Sequence, residues 1–392
     1  MQYVGGKEMK ERALHRFDEV FDLQMGKTPD RKTPQFFGGD NVWVSIRDMN
    51  KKEILDSNEH ITDAAVKATN IRKVKKGTVI MSFKLTVGKC AIAARDLYTN
   101  EAIMAFNLKD GFDIIPDFLY YYLQGYKWEG ANKAVMGMTL NKATISQHKI
   151  AFPPLSEQQS IVAELDKINE LITLKKTQLN DLDSLSQSIF CDMFGDPVNG
   201  VKYERSTIRN VISNIKYGTG TPPKFSQSGY CFIRATNIKN GHIDTKDMLY
   251  IDSDEAIKIE KCKLTSNDLI IVRSGINAGD ACNIPKEYVG HYAGYDIIIT
   301  VNTALANSSY INAILNNDDY IKMIIKPLTR RAAQPHLNAQ QVLGMNIPLP
   351  PLTLQESFSA RISSIEQQKR QICSSINELE TLLASRMQYW FD

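Results

Sequence analysis

Two stretches of this chain carry apolar residues at steps of three and four. In the first they fall at Ile161, Leu165, Ile168, Ile172, Leu179, Leu182, Ile189 and Met193. In the second they fall at Phe358, Ile362, Ile365, Ile372, Ile376, Leu379, Leu383 and Trp390. This spacing places them along one side of an α-helix and predicts two long amphipathic helices with a coiled-coil seam. Polar residues interrupt the seams, Lys175 and Ser186 in the first, Lys369 and Arg386 in the second. The two starts are also alike. Phe152-Pro153-Pro154-Leu155-Ser156-Glu157-Gln158-Gln159 returns, altered, as Leu349-Pro350-Pro351-Leu352-Thr353-Leu354-Gln355-Glu356. Proline cannot continue a helix backwards, and Ser156 with Gln159, like Thr353 with Glu356, fits a capping box. Gly195-Asp196-Pro197 stops the first helix. Each helix is predicted at about 38 residues, roughly 57 Å long at 1.5 Å per residue. Neither has a second layer of its own to cover its seam, so the simplest burial is one helix on the other, antiparallel.

Before each helix the pattern changes to short alternating or fully apolar runs. Residues 42–46 and 77–82 read as strands in the first such region, and residues 230–234 and 268–273 take the same places in the second. Helical segments are predicted at 116–124 and 309–326. The expected fold is therefore α/β (α+β): two modules in tandem, separated by long helices that form an antiparallel coiled coil. The boundaries are 1–155 and 196–352 for the modules, and 156–195 and 353–392 for the helices. Weaker matches run between the modules. Met25-Gly26-Lys27-Thr28-Pro29 answers Gly218-Thr219-Gly220-Thr221-Pro222, Thr86-Val87-Gly88-Lys89 answers Asn277-Ala278-Gly279-Asp280, and Met138-Thr139-Leu140-Asn141 answers Pro335-His336-Leu337-Asn338. The helices match better than the modules do. A duplicated spacer carrying diverged readers suits a ligand that comes in two unlike parts.

Charge divides at the same borders. The four segments carry formal charges of +5, −4, +3 and −1 in chain order, so both modules are basic and both helices acidic. Basic modules suit a polyanion such as nucleic acid, which releases counterions when its phosphates are neutralised. Six scattered cysteines without a C-x-x-C spacing argue for a reducing compartment and against a zinc site. No apolar run approaches the roughly 20 residues of a membrane span, and Met1 to Arg16 lacks a signal-peptide core. The expected location is cytoplasmic.

Catalytic patterns are missing. The chain has no G-x-x-x-x-G-K-[ST] phosphate loop, and Gly218-Thr219-Gly220 precedes prolines rather than a helix. No H-x-x-x-H pair points to a metal. The Asn/Asp-Pro-Pro-Tyr motif of amino-methyltransferases is absent too. What remains are polar residues near predicted strand ends and turns: Arg47, Lys84, Lys89, Lys133, Asn141 and Lys142 in the first module, and Arg234, Arg273, Arg330, Arg331, Gln334 and His336 in the second. Arginine can bridge the two acceptors of guanine, Asn or Gln can pair with adenine, and lysines can hold phosphates. Arg47 with Arg234 and Lys84 with Arg273 occupy matching places after the first and second strands. Asn141 and Asn338 read equally well as helix caps.

The layout resembles the specificity subunit of type I restriction-modification systems. The resemblance rests on Pro153-Pro154-Leu155-Ser156-Glu157-Gln158-Gln159 with its helix to Pro197, on the second copy from Pro350 to Trp390, and on Gln334-Pro335-His336-Leu337-Asn338. The second copy departs at Leu354, where Glu is usual, and at Gln355-Glu356 in place of Gln-Gln. The resemblance implies two target recognition domains, each reading one half of a bipartite, asymmetric DNA site. The helices then set the spacing and dock two methyltransferase subunits, with Ile161, Leu165, Ile168, Ile172, Leu179, Leu182, Ile362, Ile365, Ile372, Ile376, Leu379 and Leu383 as spacer positions. S-adenosylmethionine would sit on those partners, a motor-nuclease subunit would complete the complex, and this chain would itself be non-catalytic, without cofactor or metal. Two other readings stay open: a coiled-coil adaptor without sequence-specific DNA binding, and an unrecognised DNA methyltransferase.

Overall fold

The structure, a computed structural model, describes residues 13–128, 132–134, 137–239, 241–329 and 335–391. It separates into two compact units, one of residues 1–174 with 375–392, the other of residues 175–374. The expected module borders are 155/156, 195/196 and 352/353. Compactness divides the chain elsewhere, because each long helix gives one half to each unit.

The first unit is built on an antiparallel sheet of β1 (Phe21–Met25), β2 (Val79–Ser82), β3 (Cys90–Ala93) and β4 (Ile103–Leu108). Its order is β3-β2-β4-β1, with Glu53–Ile54 added parallel to β3 at the edge. The central strands are apolar apart from Ser82 and Asn107 near their ends, because both faces are covered. Val79, Met81, Cys90, Ile92, Met104 and Phe106 face a core shared with Phe118, Leu119 and Tyr122 of helix Pro116–Gly125. Their neighbours Ile80, Ala91, Ala93, Ile103 and Ala105 face a second core with Val42, Val44, Met49 and Leu97. The period of two sorts the side chains to the two faces. A smaller sheet joins Phe37–Val44 to Glu59–Ile61 and, in parallel, to Tyr98–Thr99.

The second unit repeats this plan. Strands β5 (Ile212–Tyr217), β6 (Asp268–Ile271), β7 (Ala281–Asn283) and β8 (Ile297–Val301) lie in the order β7-β6-β8-β5. Leu269, Ile271, Ile297 and Ile299 face Tyr310, Ile311 and Ile314 of helix Ser308–Leu315, while Ile270, Cys282 and Ile298 face Ile233 and Ala293. Its small sheet again holds a parallel pair, Phe232 opposite Tyr292.

Each module enters and leaves through adjoining antiparallel strands. His15–Arg16 pairs with Lys149–Ile150, and Arg205–Thr207 with Asn346–Pro348. The strand predicted at 42–46 runs from Phe37 and ends at Val44, where Ser45 caps a short turn over Ile46–Asp48. The helix predicted at 309–326 is broken: it stops at Leu315, and Asn317 caps a new turn from Asp318.

The long helices span Leu155–Phe194 and Leu352–Phe391. Both begin ahead of the predicted capping boxes, so Ser156 and Thr353 lie inside the first turn. Pro154 and Pro351 accept the first amide bonds, from Glu157 and Gln158 and from Leu354 and Gln355. The buried group at each start is the glutamine common to both copies. Gln158 donates to the Asp113 and Pro153 carbonyls, both at 2.8 Å, and accepts from the Ile115 amide at 3.0 Å. Gln355 donates to the Pro350 carbonyl at 2.8 Å and accepts from the Asn307 amide at 2.9 Å. Leu354 and Glu356, where the second copy departs, are at least partly exposed, so the departure leaves this joint intact.

The helices run antiparallel. In the first unit Glu164 takes a bidentate hold on Arg386 and accepts from the Trp390 indole at 3.0 Å. In the second, Lys369 reaches Asp183 at 2.6 Å and Glu366 at 2.9 Å, while Phe358 packs on Phe190 and Phe194. Two of the polar breaks in the seams are therefore the cations that join the helices. Ile161, Leu165, Ile168, Ile172, Ile365 and Ile376 are buried. Leu179, Leu182, Ile362, Ile372, Leu379 and Leu383 are half-buried, as expected where two helices cover only one side of each other. No helix among the described residues is long and apolar enough to cross a membrane.

Candidate nucleic-acid interface

The same loop is built twice. In the first unit it joins β2 to β3 through residues 83–89, and in the second it joins β6 to β7 through residues 272–280. Gly88 donates to Ser82 at 3.0 Å and Gly279 to Val272 at 2.9 Å, closing the two loops alike. Both glycines have positive φ, +85° and +101°, which a side chain would resist. Leu140 donates to the Phe83 carbonyl and Leu337 to the Arg273 carbonyl, each at 2.8 Å. Phe83 and Arg273 are thus equivalent, and Lys84 matches Ser274, one residue away from the pairing expected from sequence.

A second pair of turns lies beside each loop. Gly26 follows β1 and donates to Ile103, and Gly218 follows β5 and donates to Asp296. A Cβ on Gly26 would come within 2.1 Å of the Thr99 carbonyl oxygen, and one on Gly218 within 1.3 Å of that of Gly294. These glycines are therefore equivalent, as are Met25 and Tyr217 before them, again one residue from the expected register.

In the second unit this frame holds an arginine between two rings. The Arg273 guanidinium lies 4.8 Å from the Tyr217 ring centre and 4.5 Å from that of Tyr295, within cation–π range. Its Nε donates to His336 Nε2 at 3.4 Å, and His336 Nδ1 is 2.8 Å from the Ser274 hydroxyl. Together these contacts assign the His336 proton to Nδ1. The Arg273 amide donates to the buried Asp296 carboxylate at 2.9 Å. Burial pushes the Asp296 carboxyl above its ordinary range, opposed by that amide and by the Arg273 charge. Among the described residues Arg273 makes no ion pair. Tyr217 and Tyr295 are 41% and 47% exposed, and Ile276 at the loop tip is 97% exposed.

The first unit presents different chemistry on that frame. Lys84 Nζ lies 5.6 Å from the Phe83 ring centre, and Leu85, with φ +66°, is 58% exposed. Arg31 also stacks on rings, those of Phe37 and Trp43, but both ends of its fork are taken by Glu59.

The remaining sequence candidates separate into exposed and engaged groups. Arg47 and Lys142 are exposed. Lys89 donates to the Ile46 carbonyl at 3.1 Å and to Asn50 Oδ1 at 2.8 Å, fastening a turn. Arg234 donates to the Asp247 carbonyl at 2.6 Å. It does not match Arg47: the amides of Ser45 and Arg234 bond Asp48 and Asn237 in the same way, so Ser45 is its counterpart. Asn141 and Asn338 cap the helices that follow them. Arg330, Arg331 and Gln334 lie outside the described residues, as does the side chain of Lys133. Sequence reasoning passed over Tyr217, Tyr295 and Ile276. The available signal was an aromatic beside a glycine, at Tyr217-Gly218 and Gly294-Tyr295. No group of three or more His, Cys, Asp and Glu side chains among the described residues could hold a metal ion.

Two basic sheet modules with one loop frame and unlike loop chemistry, mounted on paired helices, define a tandem two-reader protein. The chain belongs to the family of the type I restriction modification DNA specificity domain, whose model matches residues 9–184 and again 209–381. It is similar to the type I restriction enzyme MjaIX specificity subunit of Methanocaldococcus jannaschii, with 22% identity over 92% of this chain and 88% of the relative. It also shares its fold with a crystal structure of the type I restriction-modification S subunit from M. genitalium. That likeness has a TM-score of 0.60 and 12% identity, and it covers 99% of this chain and 98% of the other. A chain from a structural study of type I system assembly and conformational transition matches with a TM-score of 0.57 and 17% identity over 98% and 99%.

Proposed function

We propose that each module of this specificity subunit reads one half of a bipartite, asymmetric DNA site. The long helices set the distance between the halves and dock two methyltransferase subunits. The observation that carries this reading is the twin loop frame with different accessible side chains on it, Lys84 and Leu85 in one unit, Arg273 and Ile276 in the other. The modules' positive charge supplies sequence-independent attraction to phosphates. Each helix has 40 residues, about 60 Å at 1.5 Å per residue, against a DNA turn of about 34–36 Å. Leu174, Leu185, Leu382 and Tyr389 leave exposed apolar area on the helices for partner subunits. The chain contributes recognition and no chemistry. The methyltransferase partners bring S-adenosylmethionine and act on adenine, and a motor-nuclease subunit completes the restriction complex.

Methylated adenines should be mapped in DNA from cells carrying the system, with and without this chain. The expected result is methylation at one split sequence that vanishes when the chain is removed. Methylation that persists unchanged would refute the proposal. Removing a few residues from the middle of both helices should change the spacing between the halves or abolish recognition. An unaltered spacing would exclude the ruler role.

A further inference from the structure

We propose that Arg273 is the base-reading residue of the second module, that it recognises a guanine, and that Tyr217 and Tyr295 are its positioning residues. This rests on the DNA-reading function proposed above and assigns one contact within it.

A duplex offers arginine two partners, a phosphate or the O6/N7 edge of guanine. A phosphate contact needs charge and tolerates a mobile side chain. Base recognition needs a planar fork held at a fixed angle. Arg273 has the second character. Rings with centres 4.8 Å and 4.5 Å away flank its guanidinium, and Nε is directed to His336 at 3.4 Å. Its terminal nitrogens have no protein acceptor among the described residues. By contrast, the fork of Arg31 in the first unit is closed off by Glu59 at 2.5 Å and 2.9 Å.

The duplication supplies an independent argument. The DNA backbone is chemically the same in both half-sites, so a phosphate-holding position would be useful in both modules. Arg273 instead matches Phe83, although the two carbonyls receive the same 2.8 Å bond from Leu337 and Leu140. Tyr217 likewise matches Met25, so arginine and ring change together while the main-chain bonds that anchor the two loops do not. Three residues beyond Arg273, Ile276 stands 97% exposed at the loop tip. An aliphatic side chain there suits a base edge or a thymine methyl and not a phosphate.

The test uses the full chain assembled with its methyltransferase partners and a pool of randomised DNA duplexes. Bound duplexes are sequenced for the wild type, Arg273→Lys, Arg273→Ala, Tyr295→Phe and Tyr295→Ala. The wild type is expected to fix a guanine at one position of one half-site. Arg273→Lys keeps charge and bulk but loses the fork, and it should reduce preference at that position alone by roughly ten- to a hundredfold. Tyr295→Phe should keep the preference and Tyr295→Ala should weaken it. The salt dependence of binding should stay unchanged in Arg273→Lys. If Arg273→Lys retains the guanine preference, or Arg273→Ala weakens all sequences equally with a shallower salt slope, the assignment is overturned in favour of a phosphate contact. A wild type that selects no sequence would overturn the DNA-reading function as well. Should Arg273→Ala fail to fold, the lysine variant and the Tyr295 pair still decide.

Discussion

The two units keep the same joints and change the same loop. Gln158 and Gln355 lock each helix start to its module, and Gly26 and Gly218 let two main chains approach where no Cβ fits. In the loops the anchoring bonds are shared and the side chains differ: buried Phe83, exposed Leu85 and half-buried Lys89 stand in one unit, half-buried Arg273, exposed Ile276 and half-buried Asp280 in the other. Buried groups whose loss would leave unpaired polar atoms have been retained through the duplication. Positions carried by the loops have diverged, the exposed Leu85 and Ile276 among them. On the proposed reading, stability and specificity reside in different residues a few positions apart.

Substitutions can break the shared part first. Gly218→Ala should be the most damaging, about 4 kcal/mol or more, because its Cβ would overlap the Gly294 carbonyl. Gly26→Ala should do the same to the first unit. Gly77→Ala is the control: with nothing within 4 Å and φ +82°, it should cost only about 1–2 kcal/mol. Urea unfolding followed by probes in each unit would rank the three. Equal effects would remove the close approach as the cause.

Next come the glutamines. Gln158→Ala strands two carbonyls and an amide, and Gln355→Ala one of each. Each should cost about 2–4 kcal/mol, the first more than the second, with hydrogen exchange rising mainly in the unit that lost its joint. Uniform protection across both units would argue against separate joints.

The smallest effect is expected at the helix pair. Arg386, and after it the Trp390 indole, hold the Glu164 carboxyl below its usual range against the opposing effect of burial. The folded state thus favours the ionised form. Its stabilisation is present above the unfolded carboxylate value, about 4.3, and is lost as pH falls through the lower folded value. Glu164→Gln should therefore cost about 1 kcal/mol at neutral pH and less in acid. Melting curves at pH 7 and pH 3 would show the gap close. A gap that widens in acid would contradict the sign.

The long helices were legible because a seam of Ile161, Leu165, Ile168 and Ile172 admits no strand reading. The central strands were legible as apolar runs. The helix caps lie two residues ahead of the expected Ser156 and Thr353, since the proline carbonyls, not the serine and threonine hydroxyls, take the first amides. The expected pairing of Gly26 is one residue off because an insertion after Gly218 shifts the following Thr-Pro, and Arg234 matches Ser45, two residues before Arg47. The Arg273 stack could not be read at all. Tyr217, Tyr295 and His336 come from distant parts of the chain and meet only through sheet order. Nor does the sequence show that Arg234 and Lys89 each donate to a nearby main-chain carbonyl.

The central claim is that each unit reads its own half-site. Because the second module enters and leaves through the paired strands Arg205–Thr207 and Asn346–Pro348, residues 208–345 can be exchanged for those of another family member. Methylated sites would then be mapped in cells carrying the exchanged chain. The prediction is a new sequence in one half of the site, with the other half and the spacing unchanged. A change in both halves, or in neither, would contradict it.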